Sequence, residues 1–356
     1  MSDSRPPDPG TAPSDPRRRA TTMADVAAAA GVSVMTVSYA FGRPDRVSDE
    51  TRQRVLATAD ALGYSGPHRG AQSLRRGRTN DLAVVLTETL AFAFDDPHAR
   101  RFFSGIADAC LDTDTGLVLL PNARDGVAVH RVRDAAVDGY VFWTTVTGDP
   151  ALAAAVATGR PVCVQGGPAD AGAAVVTIDD TAAAESVARE GLRGARRPMI
   201  LSFPADRGRR REVVHGPDPD RVAFPVTRHR LRGYRAAARA AGLSWADIPV
   251  VFGAGSFRAE GRRALTEYRD VHAPDAVLAM SDELALGAMV ELGPDVASGA
   301  VSVVGWDDST EAADAGLTTV AQSLHEQGRI AARIALGSEV DTTAHWTVVT
   351  RTSTRS

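Results

Sequence analysis

The stretch TMADVAAAAGVSVMTVSYAFG, residues 22–42, has the pattern of two short helices joined by a tight turn. Thr22 followed by Asp25 is a capping box, in which a hydroxyl and a carboxylate bind the free N–H groups of a helix start. Gly31 supplies the turn, and Ser33 is placed to cap the second helix. This pattern is typical of a helix-turn-helix, whose second helix enters the DNA major groove. An ordinary helical hairpin is the alternative.

The apolar positions of this segment predict a small three-helix core. Helical spacing directs six side chains inward: Val26, Ala27, Ala30, Val37, Ala40 and Phe41. It directs residues 34, 35, 38 and 39 outward. A third helix is predicted from Asp49 to Leu62, with Ser48 as its cap and Gly63-Tyr64 as its end. Its side of the core would be formed by Val55, Leu56, Ala59 and Leu62.

The segment closely resembles the DNA-binding head of the lactose-repressor (LacI) family. The family pattern D-V-A-x-x-A-G-V-S-x-x-T-V-S is present as Asp25, Val26, Ala27, Ala30, Gly31, Val32, Ser33, Thr36, Val37 and Ser38. This resemblance and the outward geometry together assign base reading to Val34, Met35 and Tyr39. Val34 and Met35 are apolar and suit thymine methyl groups, and Tyr39 offers a hydroxyl. Phosphate contacts are expected from Thr22, Ser33, Thr36 and Ser38, with hydrogen bonds inside the helix as the alternative for Thr36 and Ser38.

Composition places the chain among globular proteins. Its 356 residues are enough for two or three domains, with 44% hydrophobic and 24% charged residues. The N-terminus has no apolar core and no run is long enough to span a membrane, so we expect a cytoplasmic protein without a membrane partner. Cys110 and Cys163 do not make a disulfide framework or a metal site.

Charge is distributed unevenly along the chain. The net charge is −4, yet residues 17–78 hold eleven Arg against five Asp and Glu, a net +6, which leaves −10 for the remainder. Every basic residue is arginine, since the sequence contains no lysine. A basic head on an acidic body predicts that phosphate binding is confined to one end of the chain.

Residues 66–80, which follow the head, are predicted to be a linker. In the resembled family it is a hinge that folds on operator DNA, where paired hinge helices push a leucine into the minor groove. Leu74 stands at that leucine's position, and Arg75 is placed to contact phosphate. A flexible basic linker is the alternative. His68, in place of the family's Asn, and Gly70, a poor helix former, depart from the family pattern.

From Asp81 onward, short apolar runs alternate with helical segments, which predicts parallel sheets covered on both faces. Strands are expected at 82–86, 117–120, 140–143, 162–164, 199–203, 250–252, 276–279 and 301–304. Helices are expected at 99–110, 185–193, 233–241, 261–268 and 284–292. The charged, Pro-rich segment 205–227 is predicted to be a mobile insertion near the mouth of a cleft.

This body resembles the type I periplasmic-binding-protein fold of the same family. The matching stretches are 178–180, 230–234, 274–277, 281–287, 301–308 and 317–320. The predicted organisation is a disordered tail (1–20), an all-α helix-turn-helix domain (21–65), a hinge (66–80) and an α/β effector-binding and dimerisation domain (81–350). The resemblance implies subdomain N at about 81–179 and 323–340, and subdomain C at about 180–322 and 341–350.

The cleft between the two halves is the expected ligand site. By resemblance, an Arg near the R-x-x-G-[FY] segment clamps the effector, and both Arg228 and Arg230 are candidates; Asp307 accepts from ligand hydroxyls, and Trp306 forms a stacking wall. Asp307 and Asp308 capping a turn is the alternative. Ser281 and Gln165 replace the Asn and Asp of sugar-binding members, which weakens a simple hexose assignment. Phe94, Phe102 and Phe103 are candidates for the cleft mouth or for the core.

No motif of an enzyme, a cofactor site or a metal site is present: there is no P-loop, no G-x-S-x-G and no H-E-x-x-H. We therefore expect a homodimeric transcriptional regulator, most simply a repressor, with double-stranded operator DNA and a small-molecule effector as partners. A solute-binding protein for transport, an enzyme fused to a DNA-binding head and a regulator whose cleft has lost its ligand are the alternatives.

Overall fold

The computed structural model describes residues 21–66, 78–87, 94–121, 127–169 and 171–355. The chain divides into two compact units, a head within Met1–Thr79 and a body, Asn80–Ser356. The predicted tail, and Leu74 and Arg75 of the predicted hinge, lie outside the described residues.

The head contains the three predicted helices: α1 (Met23–Ala30), α2 (Val34–Gly42) and α3 (Asp49–Ala61). The Thr22–Asp25 capping box is present, and Gly31 has a left-handed φ of 65° that ends α1. Ser33 and Ser48 cap the next two helices. The local signals at the helix ends were therefore sufficient to predict this part of the fold.

The head core differs from the prediction at its third helix. Val55 and Ala59 are buried as predicted, but Leu62 is 40% exposed and Leu56 is only half-buried. Leu62 lies just past the last helical residue, and the chain turns there through Gly63, whose φ is 66°. Tyr64 occupies the core position instead, with its ring edge-on to Phe41 at 5.8 Å between ring centroids.

The body is built on two sheets. In the described residues, the first sheet has the order β2-β1-β3-β4-β5 and is parallel throughout. Its strands are β1 (Asp81–Leu86), β2 (Gly116–Pro121), β3 (Gly139–Trp143), β4 (Val162–Gln165) and β5 (Ala174–Val176). The accompanying helices are α4 (Pro97–Asp112), α5 (Val127–Asp134) and α6 (Pro150–Ala157).

The second sheet has the order β12-β11-β10-β9-β6-β8-β7 among the described strands. Its strands are β6 (Pro198–Ser202), β7 (Glu212–His215), β8 (Pro249–Phe252), β9 (Ala276–Ala279), β10 (Ser302–Trp306), β11 (Thr318–Gln322) and β12 (Trp346–Val349). Its helices are α7 (Asp180–Gly191), α8 (Pro225–Ala240), α9 (Arg258–His272), α10 (Asp282–Ala297) and α11 (Thr310–Asp314). The edge strands β7 and β12 are antiparallel to their neighbours, and the other pairs are parallel.

The two sheets share one strand order. In chain order, β6, β8, β9, β10 and β11 repeat the spatial arrangement of β1 to β5, so each half has a five-stranded parallel core, to which β7 and β12 are added in the second half. The two halves therefore share a fold, although no internal repeat is visible in the sequence.

The chain passes more than once between the halves. Helix α12 (Leu324–Ala335) follows β11 of the second sheet, yet its apolar side packs into the core of the first sheet. It crosses α4 closely, because Gly105 and Gly328 have no side chains; a Cβ on Gly105 would lie 1.9 Å from the His325 carbonyl oxygen. β12 then returns to the second sheet beside β11.

The segment predicted as a mobile insertion has regular structure. Residues 212–215 form β7, an edge strand on β8, and residues 219–221 form a 3₁₀ turn. Helix α8 begins at Pro225, eight residues before its predicted start at Gly233. A proline is favoured in the first turn of a helix, where its missing N–H is not needed. The prediction of an irregular insertion was wrong here because charge and proline content were taken as loop signals, but its predicted place near the cleft agrees with the structure.

Candidate functional sites

The outward face of α2 combines exposed apolar side chains with unused hydroxyls. Val34 is 48% exposed and Met35 is 54% exposed, at the N-terminal end of the helix. Tyr39 and Ser38 are half-buried, and neither hydroxyl has a hydrogen-bond partner in the described part of the chain. Two large apolar side chains exposed side by side on one helix indicate a contact surface rather than core packing.

The other predicted phosphate contacts have local partners. The Ser33 hydroxyl oxygen lies 3.0 Å from the Thr36 backbone nitrogen, which donates to it, and 2.9 Å from the Thr36 hydroxyl. The Thr22 hydroxyl donates to the Asp25 carboxylate at 2.7 Å. The helix-bonding alternative therefore holds for Thr36 in this structure, whereas Ser38 has no such bond. All of these groups remain at least partly accessible.

A cavity of about 110 Å³ lies in the body where the carboxyl ends of both sheets meet. This is the usual ligand position in open α/β sheets. Polar lining residues come from strand ends of both halves, among them Gln165 at the end of β4, Gln322 at the end of β11 and Asp307 directly after β10. The apolar wall consists of Trp143, Phe203, Pro204, Phe224, Val226 and Leu324.

Arg230 is the buried cation of this cavity. Its Nε donates to Asp180 at 2.9 Å, and its Nη1 donates to the Met280 carbonyl at 2.5 Å. The guanidinium lies 3.7 Å from the centroid of the Trp306 ring, a cation–π geometry. Three fixed partners leave the guanidinium little freedom, so its orientation is set before any ligand arrives.

Asp307, which also lines the cavity, has a strained backbone conformation. Its φ is 106°, and Asp308 follows with a φ of 50°, conformations that side-chain-bearing residues rarely adopt. The neighbouring contacts hold this turn: the Asp307 backbone N–H donates to Val320, and Asp308 pairs with Arg351 at 2.6 Å. Strain of this kind is typical of functional sites.

A second carboxylate supports this turn from behind. Asp282 is fully buried and accepts from the Ser309 backbone N–H and from the Thr319 hydroxyl, each at 2.7 Å. Burial and the neighbouring charge of Asp307 raise the pKa of Asp282 to about 6. Sequence reasoning missed Asp282, although an Asp at the start of a helix after an apolar strand was available as a signal.

Several contacts join the halves across the cleft, and two of them are made at the start of α4. His98 of α4 lies 3.4 Å from Asp307 through its Nδ1 and is buried, but neither ring nitrogen has a hydrogen-bond partner in the described residues. Asp96, the cap of α4, accepts from the Ser256 hydroxyl of the other half at 2.8 Å. A buried imidazole without a hydrogen bond lowers the stability of the fold, so a ligand that hydrogen-bonds to His98 would remove this penalty.

Comparison with known proteins connects both sites to one family. The model of bacterial regulatory proteins of the lacI family matches residues 22–66, and a periplasmic binding protein-like domain matches residues 203–355. An HTH-type transcriptional regulator of Mycobacterium tuberculosis is 38% identical over 325 residues, which cover 88% of this chain and 90% of that protein. The chain belongs to the lacI family of bacterial regulatory proteins. It is a DNA-binding transcriptional regulator, not an enzyme.

Solved structures agree with the fold of this LacI-family regulator. A LacI-family transcriptional regulator from Corynebacterium glutamicum has a TM-score of 0.67 at 28% identity, covering 95% of this chain and 99% of that one. A complex of the transcriptional regulator CelR with cellobiose has a TM-score of 0.63 at 28% identity, covering 94% and 99%.

The regulator's cavity brings together four of the six residues predicted for the effector: Gln165, Arg230, Ser281 and Asp307. Arg228 does not line it; its guanidinium points to the Val222 carbonyl at 3.5 Å. Trp306 does not form a wall, because it is fully buried beneath the Arg230 guanidinium. The helix that follows this turn is capped by Ser309 and not by Asp307 or Asp308.

The phenylalanines predicted for the cleft mouth or the core, Phe94, Phe102 and Phe103, do not line the cavity. Phe102 is fully buried, and its ring packs against Trp143 at a tilt of 50° with 4.7 Å between ring centroids, so it supports the wall from behind. Phe94 is exposed. Sequence reasoning missed His98, Asp96, Ser256 and the aromatic wall residues, since only the fold brings them together.

In the described part of the regulator, no single helix is long and apolar enough to cross a membrane. Helices α1 and α2 reach that length only together, and they are bent by 105°.

Proposed function

We propose that this LacI-family regulator is a cytoplasmic homodimeric repressor, which binds a pseudo-palindromic operator and is controlled by a small-molecule effector in the cavity of the body. The observation that carries the DNA half is the exposed pair Val34 and Met35 at the start of the second helix of the helix-turn-helix. Residues at this end of a recognition helix meet base edges in the major groove.

The decisive experiment for DNA reading is selection of genomic DNA fragments by the purified protein. We expect a two-fold symmetric motif with half-sites about one helical turn apart. Replacing Val34, Met35 or Tyr39 by Ala should blur single positions of that motif, whereas Val290→Ala, an exposed apolar residue of the body, should not. Binding without an enriched motif, sensitive only to salt, would contradict the operator proposal.

The hinge is part of the same proposal. Leu74 acts as the minor-groove wedge and Arg75 as a phosphate contact, by resemblance to the family. Leu74→Ala should then weaken operator binding much more than non-specific binding, because a wedge acts only on the kinked site. Equal losses on both DNAs would refute the wedge.

The effector half is supported by the charges and walls of the cavity. Arg230 presents donors, Asp307 presents an acceptor, and Trp143, Phe203 and Phe224 offer flat apolar surfaces. This set suits a small polar metabolite with hydroxyl groups and an apolar face, and the relative CelR is solved with cellobiose. Gln165 and Ser281, also in the lining, complete the proposed contacts.

A thermal-shift screen of metabolites, with cellobiose among them, tests this half. A ligand bound only by the folded state raises the melting temperature, and above Kd the stabilisation grows with the logarithm of the ligand concentration. The increase in melting temperature should be smaller in Arg230→Lys and should persist in Arg228→Ala. The same ligand should also change the affinity for operator DNA. A screen without hits would favour a regulator whose cleft has lost its ligand.

A further inference from the structure

Gln327 is a fully buried amide on the apolar side of a helix. It lies in α12 among Leu324, Ile330 and Ala331, which pack into the core of the first sheet, and it does not line the cavity. A buried amide is tolerated in an apolar environment only where its hydrogen bonds are made. The partners of Gln327 therefore explain why it is accommodated there.

These partners form a relay of three glutamines that ends at Asp307. Gln165 Nε2 donates to Gln327 Oε1 at 3.1 Å, and Gln327 Nε2 donates to Gln322 Oε1 at 2.9 Å. Gln322 Nε2 then donates to Asp307 Oδ1 at 2.6 Å. Each amide thus accepts with its oxygen and donates with its nitrogen along a single direction.

The carboxylate fixes that direction. An ionised Asp307 has only acceptor atoms, so Gln322 has to face it with its nitrogen, and the two preceding amides are oriented in turn. The oxygen of Gln165 is the free end of the relay, with no hydrogen-bond partner in the described residues. Since Gln165 lines the cavity, this oxygen is available to a ligand as an acceptor.

The relay also joins the two halves of the body. Gln165 ends β4 of the first sheet and Gln327 lies on the helix packed against that sheet, whereas Gln322 ends β11 and Asp307 follows β10, both of the second sheet. The Gln327–Gln322 bond therefore connects the halves where the chain crosses between them. Its length of 2.9 Å depends on their relative placement.

We propose that Gln327 is a positioning residue, whose two hydrogen bonds hold Gln165 in the orientation that Asp307 sets at the other end of the relay. The side chain of Gln165 therefore presents its oxygen, a hydrogen-bond acceptor, to the cavity. The effector group that meets Gln165 is then a donor, a hydroxyl or an amine, and not a carboxylate or phosphate oxygen. This reading of effector chemistry rests on the proposed function. The relay itself is tested without effector or DNA, so the two proposals fail separately.

The test is a double-mutant cycle between the two ends of the relay, measured by urea unfolding of the full chain at pH 7. In Gln165→Glu, a carboxylate oxygen faces Gln327 Oε1, and the two acceptors repel each other. Rotating the amides of Gln327 and Gln322 would remove this repulsion, but it would place Gln322 Oε1 against the Asp307 carboxylate. We expect the unfolding constant to rise about tenfold or more. Asp307→Asn supplies an amide that can donate to a turned Gln322, so the double variant should recover most of the loss.

Gln327→Met is the control background, because methionine keeps the length of the side chain and removes both hydrogen bonds. Direct repulsion between positions 165 and 307 would survive there, whereas coupling through the relay would not. We expect the coupling to fall severalfold in the Gln327→Met background. Equal coupling in both backgrounds, or no coupling with Gln327 present, would overturn the relay.

A pH profile gives a second readout that does not depend on the folding of Gln327→Met. A protonated Glu at position 165 can donate to Gln327 Oε1 as the native amide does. The difference in stability between Gln165→Glu and the native chain should therefore vanish as pH falls through the raised pKa of that Glu. A difference that is independent of pH would show a packing defect and contradict the relay.

Discussion

Arg230 serves both the cavity and the stability of the body. Its guanidinium faces the cavity, yet its hydrogen bonds go to Asp180 and to the Met280 carbonyl behind the wall. Asp180 is itself buried at the first residue of α7 and forms an ion pair with Arg230. Removing one member of a buried ion pair leaves the other charge uncompensated.

Arg230→Ala should therefore lower the free energy of unfolding by about 3–5 kcal/mol in a urea titration, because it leaves the Asp180 carboxylate buried and unpaired. Arg228→Ala is the matched control on the same helix and should lose much less, because Arg228 is half-buried, has no salt bridge in the described residues and reaches the Val222 carbonyl only at 3.5 Å. Equal losses for both arginines would contradict the ion-pair argument. Arg230→Lys, which keeps the charge, is the better variant for effector binding.

Asp282 should make stability depend on pH. Its folded pKa, about 6, lies above the ordinary value of 3.8, so the folded state favours the protonated form. The stabilisation is complete below the unfolded pKa and is lost as pH rises through about 6. At about 1.4 kcal/mol for each pKa unit, the contribution is at most roughly 3 kcal/mol.

The measurement is the free energy of unfolding from pH 4 to pH 7 in the native chain and in Asp282→Asn. The native chain should lose stability with rising pH relative to the variant. Asp307→Asn should reduce the same dependence, because the charge of Asp307 is one cause of the raised pKa. Parallel curves for the native chain and Asp282→Asn would refute this assignment.

Single residues of the cavity were predictable only where a local pattern marked them. The R-x-x-G-[FY] segment narrowed the predicted effector clamp to two arginines, Arg230 within the segment and Arg228 just before it, but only burial in the structure separates them. Trp306 was assigned to the wall by resemblance to the family, next to the predicted acceptor Asp307. Consecutive residues leaving a strand point to opposite faces, which placed the ring behind the site instead.

At the scale of elements, the start of α2 has two separable duties. Ser33 caps the helix through the Thr36 backbone N–H, and in the proposed complex it also meets phosphate. A cap requires only an acceptor, whereas a phosphate contact is sensitive to charge. Substitutions at this one position therefore distinguish the two duties.

Ser33→Ala should destabilise the head by about 1 kcal/mol and weaken DNA binding, because the cap is lost. Ser33→Asp should keep the cap and the stability, since Asp is as good a cap as Ser, yet weaken DNA binding by charge repulsion. Thermal melting and DNA affinity of both variants provide the measurement. Unchanged affinity in Ser33→Asp would show that Ser33 is distant from phosphate.

The fold of the elements was predictable to different degrees in the two units. In the head, a capping side chain marks the start of every helix and Gly31 marks the end of α1, and the predicted helices match within a residue or two. In the body, eight strands were found as apolar runs, but β5, β7, β11 and β12 were missed. Among them, β7 (Glu212–His215) is a partly exposed edge strand. An edge strand lacks the continuous apolar run by which buried parallel strands are recognised.

At the scale of the whole molecule, charge separates the two units more clearly than composition does. Residues 17–78 carry a net +6, while the rest of the chain carries −10. Exposed arginines of the described head include Arg43, Arg46, Arg52 and Arg54. An acidic body repels the DNA backbone, so non-specific affinity has to arise in the head.

Non-specific DNA binding should therefore be salt-dependent through the head alone. Changing the four exposed head arginines to Gln should flatten the plot of log K against log salt, by about 1 for each side chain that neutralises a phosphate. Arg239→Gln, an exposed position of α8 in the body, is the control and should leave the slope unchanged. Fluorescence anisotropy with a duplex lacking the operator, titrated from low to moderate salt, measures both. An equal change of slope in the control would mean that the acidic body also contacts DNA, and that the separation of charge does not confine binding to the head.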